Sequence, residues 1–171
     1  MWWLQQKTKV RFLVDYFELL SRFSNPGNTG DAQYSINSGF TGGFFIAAGT
    51  KAGNNLLPTE KLNPFSNKSC PSGDIKRARK FASFCNNLLC GGDPTFRSCE
   101  KFDGVSTFEE LPVSLVERRQ FHLCWGLPTG EVLLLGGRQG RSDKVGLSNT
   151  ELVSADGTSS SANFILPYAT L

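Results

Sequence analysis

The feature that most constrains this fold is an apolar run that ends in small residues and recurs. Phe44-Phe45-Ile46-Ala47-Ala48-Gly49, Leu88-Leu89-Cys90-Gly91-Gly92 and Val132-Leu133-Leu134-Leu135-Gly136-Gly137 end at residues 49, 92 and 137, at spacings of 43 and 45. A fixed period of this size marks a repeat architecture, in which one unit cannot bury its apolar surface alone. Further anchors keep the register. After a polar loop of variable length comes an acid before an apolar residue, in Glu60-Lys61-Leu62, Glu100-Lys101-Phe102 and Glu151-Leu152-Val153. A proline follows each, in Cys70-Pro71, Leu111-Pro112 and Leu166-Pro167, and arginines follow the first two, Arg77 and Arg79, then Arg118 and Arg119. Between those arginines and the next Gly-Gly, Phe81 to Cys85 precedes Asn86-Asn87, and Phe121 to Trp125 precedes Pro128-Thr129-Gly130. Such dipeptides and Pro-x-Gly between apolar runs read as hairpin turns.

One unit is therefore predicted to run strand, hairpin turn, apolar strand ending in Gly-Gly, variable loop, strand opening with Glu, outer strand. Four short strands at a period near 45 describe one propeller blade. The repeat glycines Gly49, Gly91, Gly92, Gly136 and Gly137 are expected where inner strands crowd and the backbone needs positive φ. The 18 glycines and 14 phenylalanines of the 171-residue chain, with 19% charged residues, suit short strands and tight turns rather than a Glu/Lys-rich helical protein.

These residues resemble the Kelch repeat: an apolar strand ending in Gly-Gly, a variable loop, then spaced Glu and aromatic or apolar positions. The match covers about residues 40–171 and is clearest from Arg118 to Val153. It departs from the pattern at Ala48-Gly49, and the tryptophan late in each repeat is replaced, with Phe65 and Phe108 nearest its place. The resemblance implies an all-β, partial Kelch-type propeller of about three four-stranded blades, with repeats at about 40–78, 79–117 and 118–171 in a domain spanning 39–171. Kelch arrays usually close as rings of about four to eight blades. Three units are therefore expected to be a fragment of a longer propeller, or to dimerise, or to use residues 1–38 as a cap. Open blade edges carry unpaired backbone groups, so self-association through them is expected.

Residues 1–38 form an N-terminal segment and linker. Asp15 and Glu18 interrupt the apolar run that a secretory leader would need. Phe12, Tyr16, Leu19 and Phe23 recur at helical spacing, so 10–23 is predicted to be a short amphipathic helix ended by Asn25-Pro26-Gly27. No run of about 18 apolar residues is present, so no transmembrane helix is expected.

The net charge of +3 is too balanced for a nucleic-acid partner. A single histidine, His122, excludes any centre that needs two. His122 and Cys124 are two apart on one strand and share a face, but nothing marks an orienting acid or an oxyanion hole, so a structural histidine is expected. The five cysteines lack CxxC spacing, and neither zinc nor any cofactor is expected. Cys90 and Cys99 flank Asp93-Pro94-Thr95-Phe96 symmetrically, which sets them opposite each other, where a disulfide or two buried thiols both fit. A two-residue turn sets Cys85 opposite Leu88, and Cys70, Cys85 and Cys124 are left over. Asn67-Lys68-Ser69 is a glycosylation sequon on Asn67. Sequon and cysteines together lean towards an extracellular location, whereas the missing clean leader leans the other way, towards an intracellular scaffold. The loop from Arg138 through Arg141 to Lys144 is the longest of the three equivalents and lacks the ending of a phosphate loop. It is the candidate binding loop.

The function expected is a non-catalytic protein-binding scaffold that engages a protein partner through propeller loops. The alternatives are an extracellular ligand-binding module of a larger secreted protein, or a truncated copy without independent function.

Overall fold

The computed structural model describes residues 33–40, 43–51, 54–55, 59–63, 68–140, 146–158 and 160–170, with side chains described for 59, 70–140, 146–158, 160, 161 and 165. The predicted helix at 10–23, the sequon residue Asn67, and Arg141 and Lys144 lie outside these residues. The described residues are all-β, with no helix among them.

Three antiparallel sheets follow one another. Sheet 1 holds β1 (Gln33–Phe40), β2 (Gly43–Lys51), β3 (Asn54–Asn55), β4 (Glu60–Asn63) and β5 (Lys68–Pro71), in the order β1-β2-β4-β5 with β3 also on β2. Sheet 2 holds β6 (Ser83–Cys85), β7 (Leu88–Cys90), β8 (Ser98–Phe102) and β9 (Phe108–Ser114) in chain order. Sheet 3 does the same with β10 (Leu123–Gly126), β11 (Val132–Leu135), β12 (Leu147–Val153) and β13 (Ser160–Thr170). One register recurs: Ile46 pairs with Glu60, Leu89 with Glu100, and Leu134 with Glu151. The sheets do not close on one another.

Two details differ from the sequence expectation. Sheet 1 begins at Gln33, inside the segment assigned to the N-terminus. The acid opens the strand only in β4; Glu100 and Glu151 lie within β8 and β12, because those strands start earlier in the loop. The recurrent prolines also gain a reason. Pro71, Pro112 and Pro167 lie on β5, β9 and β13, the outer edge strand of each sheet. Proline removes a ladder donor and blunts an edge against further pairing.

The turns follow from their residues. Asn86 and Asn87 both adopt positive φ (46° and 62°), as a two-residue hairpin between right-twisted strands requires. Asn86 Nδ2 also donates to the carbonyls of Leu127 and Glu131 at 2.9 and 3.1 Å, docking this hairpin on the one between β10 and β11. Gly92 and Gly137 have φ of 84° and 89°, and a Cβ on either would stand 2.6 Å from the carbonyl oxygen of Lys80 or Gln120.

Strand alternation gives sheet 2 two apolar faces. Phe84, Leu89, Phe102 and Phe108 cluster with Ile75 and Ala82, and the Phe102 and Phe108 ring centroids are 4.9 Å apart. On the opposite face Cys85, Leu88, Cys90, Cys99, Val113 and Leu115 pack against Val132, Leu134 and Val153 of sheet 3. Burying each such Leu, Val or Phe side chain contributes roughly 1.5–3 kcal/mol. The first strands adjoin in order, β1 beside β6 and β6 beside β10.

Candidate functional site

The loops between sheets are held by a buried charge pair that occurs twice. Arg79 precedes β6, and its guanidinium donates to the carbonyls of Gly91 (3.0 Å) and Ser98 (2.9 Å) and to the Glu100 carboxylate (2.5 Å). Glu100 also accepts the backbone N–H groups of Lys76 and Arg77 at 2.7 and 3.0 Å. Arg119 precedes β10 and repeats the pattern with the carbonyls of Gly136 (2.9 Å) and Asn149 (3.2 Å) and with Glu151 at 3.1 Å. Glu151 in turn accepts the N–H groups of Val116 and Glu117 at 2.6 and 3.4 Å. All four charged side chains are fully buried. Burial pulls the Arg79 guanidinium below its ordinary pKa, opposed by the Glu100 charge. Fully satisfied buried pairs of this kind fix geometry more than they add stability. Here they anchor the Gly-Gly turn, the strand beyond it and the incoming connection at one end of each sheet.

That end carries an aromatic and cationic surface. Phe81 and Phe121 occupy corresponding places at the entry to β6 and β10, and their rings stack with centroids 4.0 Å apart. The Lys80 ammonium lies 5.4 Å from the Phe81 centroid, and the Arg138 guanidinium 4.3 Å from that of Phe121. Phe96 is itself buried, and the guanidinium of the exposed Arg118 lies 4.3 Å from its ring centroid. Phe81, Phe96 and Phe121 all have positive φ, at 60°, 30° and 57°. A bulky residue in that region is a steric outlier costing of order 1–3 kcal/mol, and such outliers gather at binding and catalytic sites. Phe121 keeps 39% of its surface exposed. Cations over ring faces are attracted by the ring quadrupole, roughly 0.5–1 kcal/mol at exposed sites.

Polar linkage differs between the two sheets here. Lys80 and Asp93 bridge sheet 2 through reciprocal backbone bonds of 3.0 and 2.8 Å and a side-chain contact of 3.7 Å. At the same bridge in sheet 3 stand Gln120 and Arg138, with reciprocal backbone bonds of 3.0 Å. Arg138, singled out from the sequence, thus sits in the aromatic cluster. The phenylalanines and Arg118 were not assigned a binding role from the sequence. The available signal was Arg79-Lys80-Phe81 recurring as Arg119-Gln120-Phe121.

His122 is buried, and its Nε2 shares a 2.5 Å hydrogen bond with Ser83 Oγ of the neighbouring sheet. Burial, and then the Arg119 charge, lowers its pKa to about 3, so the ring is neutral at pH 7. Among the described residues no acid orients its Nδ1, and none is its hydrogen-bond partner. Ser83 is itself buried, so the pair joins two sheets rather than facing a substrate. Cys124 belongs to a disulfide with Cys85, joining β10 to β6. This corrects the sequence reading, which left both over; a link between stacked sheets has no trace in hairpin symmetry. Cys90 and Cys99 stand opposite on β7 and β8, are disulfide-bonded and have Cα atoms 4.2 Å apart, the short spacing of a non-hydrogen-bonded pair. Cys70 is a free, exposed thiol. Two disulfides fit an oxidising compartment.

No group of three or more metal-ligating side chains occurs among the described residues. No described helix is long and apolar enough to cross a membrane. No family model and no curated protein matches the sequence.

Proposed function

We propose that this chain is part of a Kelch-type propeller and serves as a non-catalytic protein-binding scaffold, engaging its partner through the loops at the Gly-Gly end. The observation that carries this reading is the stacked pair of Phe81 and Phe121, each at positive φ and each with a cation over its ring. Packing alone does not require two strained aromatics stacked on one loop surface. Rigid rings beside Arg118 and Arg138 are suited to a partner segment that brings acidic and apolar side chains together, since Arg and aromatic residues dominate binding hot spots. The buried Arg79–Glu100 and Arg119–Glu151 pairs supply the rigid support that such a surface needs.

The disulfides favour one specific setting, an extracellular module of a larger secreted protein. A random-peptide selection against the folded chain tests the reading. Acidic, aromatic-containing peptides are expected to enrich, and binding should fall at least tenfold in Phe121→Ser and Arg138→Glu. Peptides that bind those variants as well as the parent, or no enrichment at all, would overturn it.

A further inference from the structure

Among the described residues, no other sheet lies against the face of sheet 3 that corresponds to the one with which sheet 2 grips its neighbour. On that face of sheet 2, Ser83 bonds His122, Cys85 is joined to Cys124, Leu88 and Cys90 pack on sheet 3, and Lys101 Nζ donates to the Ala155 carbonyl at 3.2 Å. All five positions touch the next sheet. The shared register places Leu123, Trp125, Leu133, Leu135 and Leu152 at the same five positions of sheet 3. These five are cross-strand neighbours: Leu123 pairs with Leu135, Trp125 with Leu133, and Leu133 with Leu152. Cys124 between them turns towards sheet 2, so Leu123 and Trp125 turn away from it. Leu123 is 68% exposed and Trp125 64%, and the other three are half-buried. A contiguous, uncharged apolar face of this kind marks an interaction surface.

We infer that this face is covered by sheet 1 of a second copy of the chain, head to tail. The interface continues the one already formed between sheets 2 and 3. That interface takes Val132, Leu134 and Val153 from the incoming sheet. By register, sheet 1 holds Phe44, Ile46 and Leu62 at those positions, since Phe44 pairs with Leu62 and Ile46 with Glu60, as Val132 pairs with Val153 and Leu134 with Glu151. The incoming positions of sheet 1 are thus apolar too. Two copies of the three described sheets make six, within the range of about four to eight at which radial arrays close. Closure turns a head-to-tail contact into a finite dimer rather than a filament. The inference rests on the propeller reading above but not on the loop-end binding site.

The test uses the full chain carrying Cys70→Ser, which removes the exposed thiol as a source of cross-links. Light scattering on a size-exclusion column should give twice the 18.7 kDa chain mass. Trp125→Glu and Ile46→Lys should each halve it. Mixing the two variants should restore the dimer, because one interface is then undamaged and the other sets the introduced opposite charges against each other; misfolded variants would not complement. A monomeric parent, or a dimer that survives Trp125→Glu, would overturn the inference. Peptide binding at the loop end, measured on the same samples, separates this failure from that of the binding reading. Peptides bound by a monomer would sink only the dimer, and a complementing dimer that binds none would sink only the loop-end site.

Discussion

Arg119 and Glu151 lie 32 residues apart and form a fully buried ion pair at 3.1 Å, in which the carboxylate also holds two backbone N–H groups of the connection into sheet 3. Arg79 and Glu100 do the same for sheet 2. The pair acts as a clasp. It fixes where one sheet ends and the next begins.

Breaking one clasp should be severe. Glu151→Ala strands a buried guanidinium and two amides, and a loss of about 3–5 kcal/mol is expected. Glu110→Ala removes the exposed partner of Arg77 and should cost about 1 kcal/mol or less. Urea denaturation of both variants checks the contrast, and equal losses would contradict the clasp.

Stability should fall in mild acid because of His122. Its folded pKa of about 3 lies below the ordinary histidine value of 6.5, so the unfolded chain takes up the proton first. The folded state is therefore penalised as pH drops below about 6.5, by up to about 1.4 kcal/mol per pH unit until the folded pKa is reached. The carboxylates add their own dependence, so the informative quantity is a difference. Between pH 7 and pH 4.5, His122→Gln should lose less stability than the parent. Parallel pH profiles would mean that His122 is not buried in its neutral form.

The repeat glycines should differ from an ordinary turn glycine. Gly137→Ala would set a Cβ 2.6 Å from the Gln120 carbonyl at φ 89°. Gly104 has nearly the same φ, 88°, but open space around it. Gly104→Ala thus carries only the backbone penalty, on the order of 1 kcal/mol. Thermal melts should show a clearly larger loss for Gly137→Ala; similar losses would mean that close approach is not what the Gly-Gly turn requires.

The order of strands within a unit was legible because strand alternation and turn chemistry are local. Asn86-Asn87 set Cys85 opposite Leu88, and the symmetric loop set Cys90 opposite Cys99, as the structure has them. The strand Gln33–Phe40 was passed over, although Tyr34, Ile36 and Phe40 alternate with polar or small residues at a period of two. Side-chain contacts between residues far apart in sequence were not legible. The arginines and glutamates were visible as recurring anchors, but their pairing spans 21 residues in one unit and 32 in the next. The Cys85–Cys124 bond spans 39. The ion pairs depend on how the ends of one unit pack together and the disulfide on how two sheets stack, and no local pattern records either.

The account stands on sheets 2 and 3 stacking face to face in one register, and disulfide mapping tests this most directly. Digestion of the unreduced protein, after alkylation of free thiols, should yield Cys85 joined to Cys124, Cys90 joined to Cys99, and Cys70 alkylated. The first link reports the stacking of β6 on β10, and the second the register of β7 on β8. Cys85 recovered with Cys90 would contradict both, and Cys85 recovered with Cys70 would contradict the first.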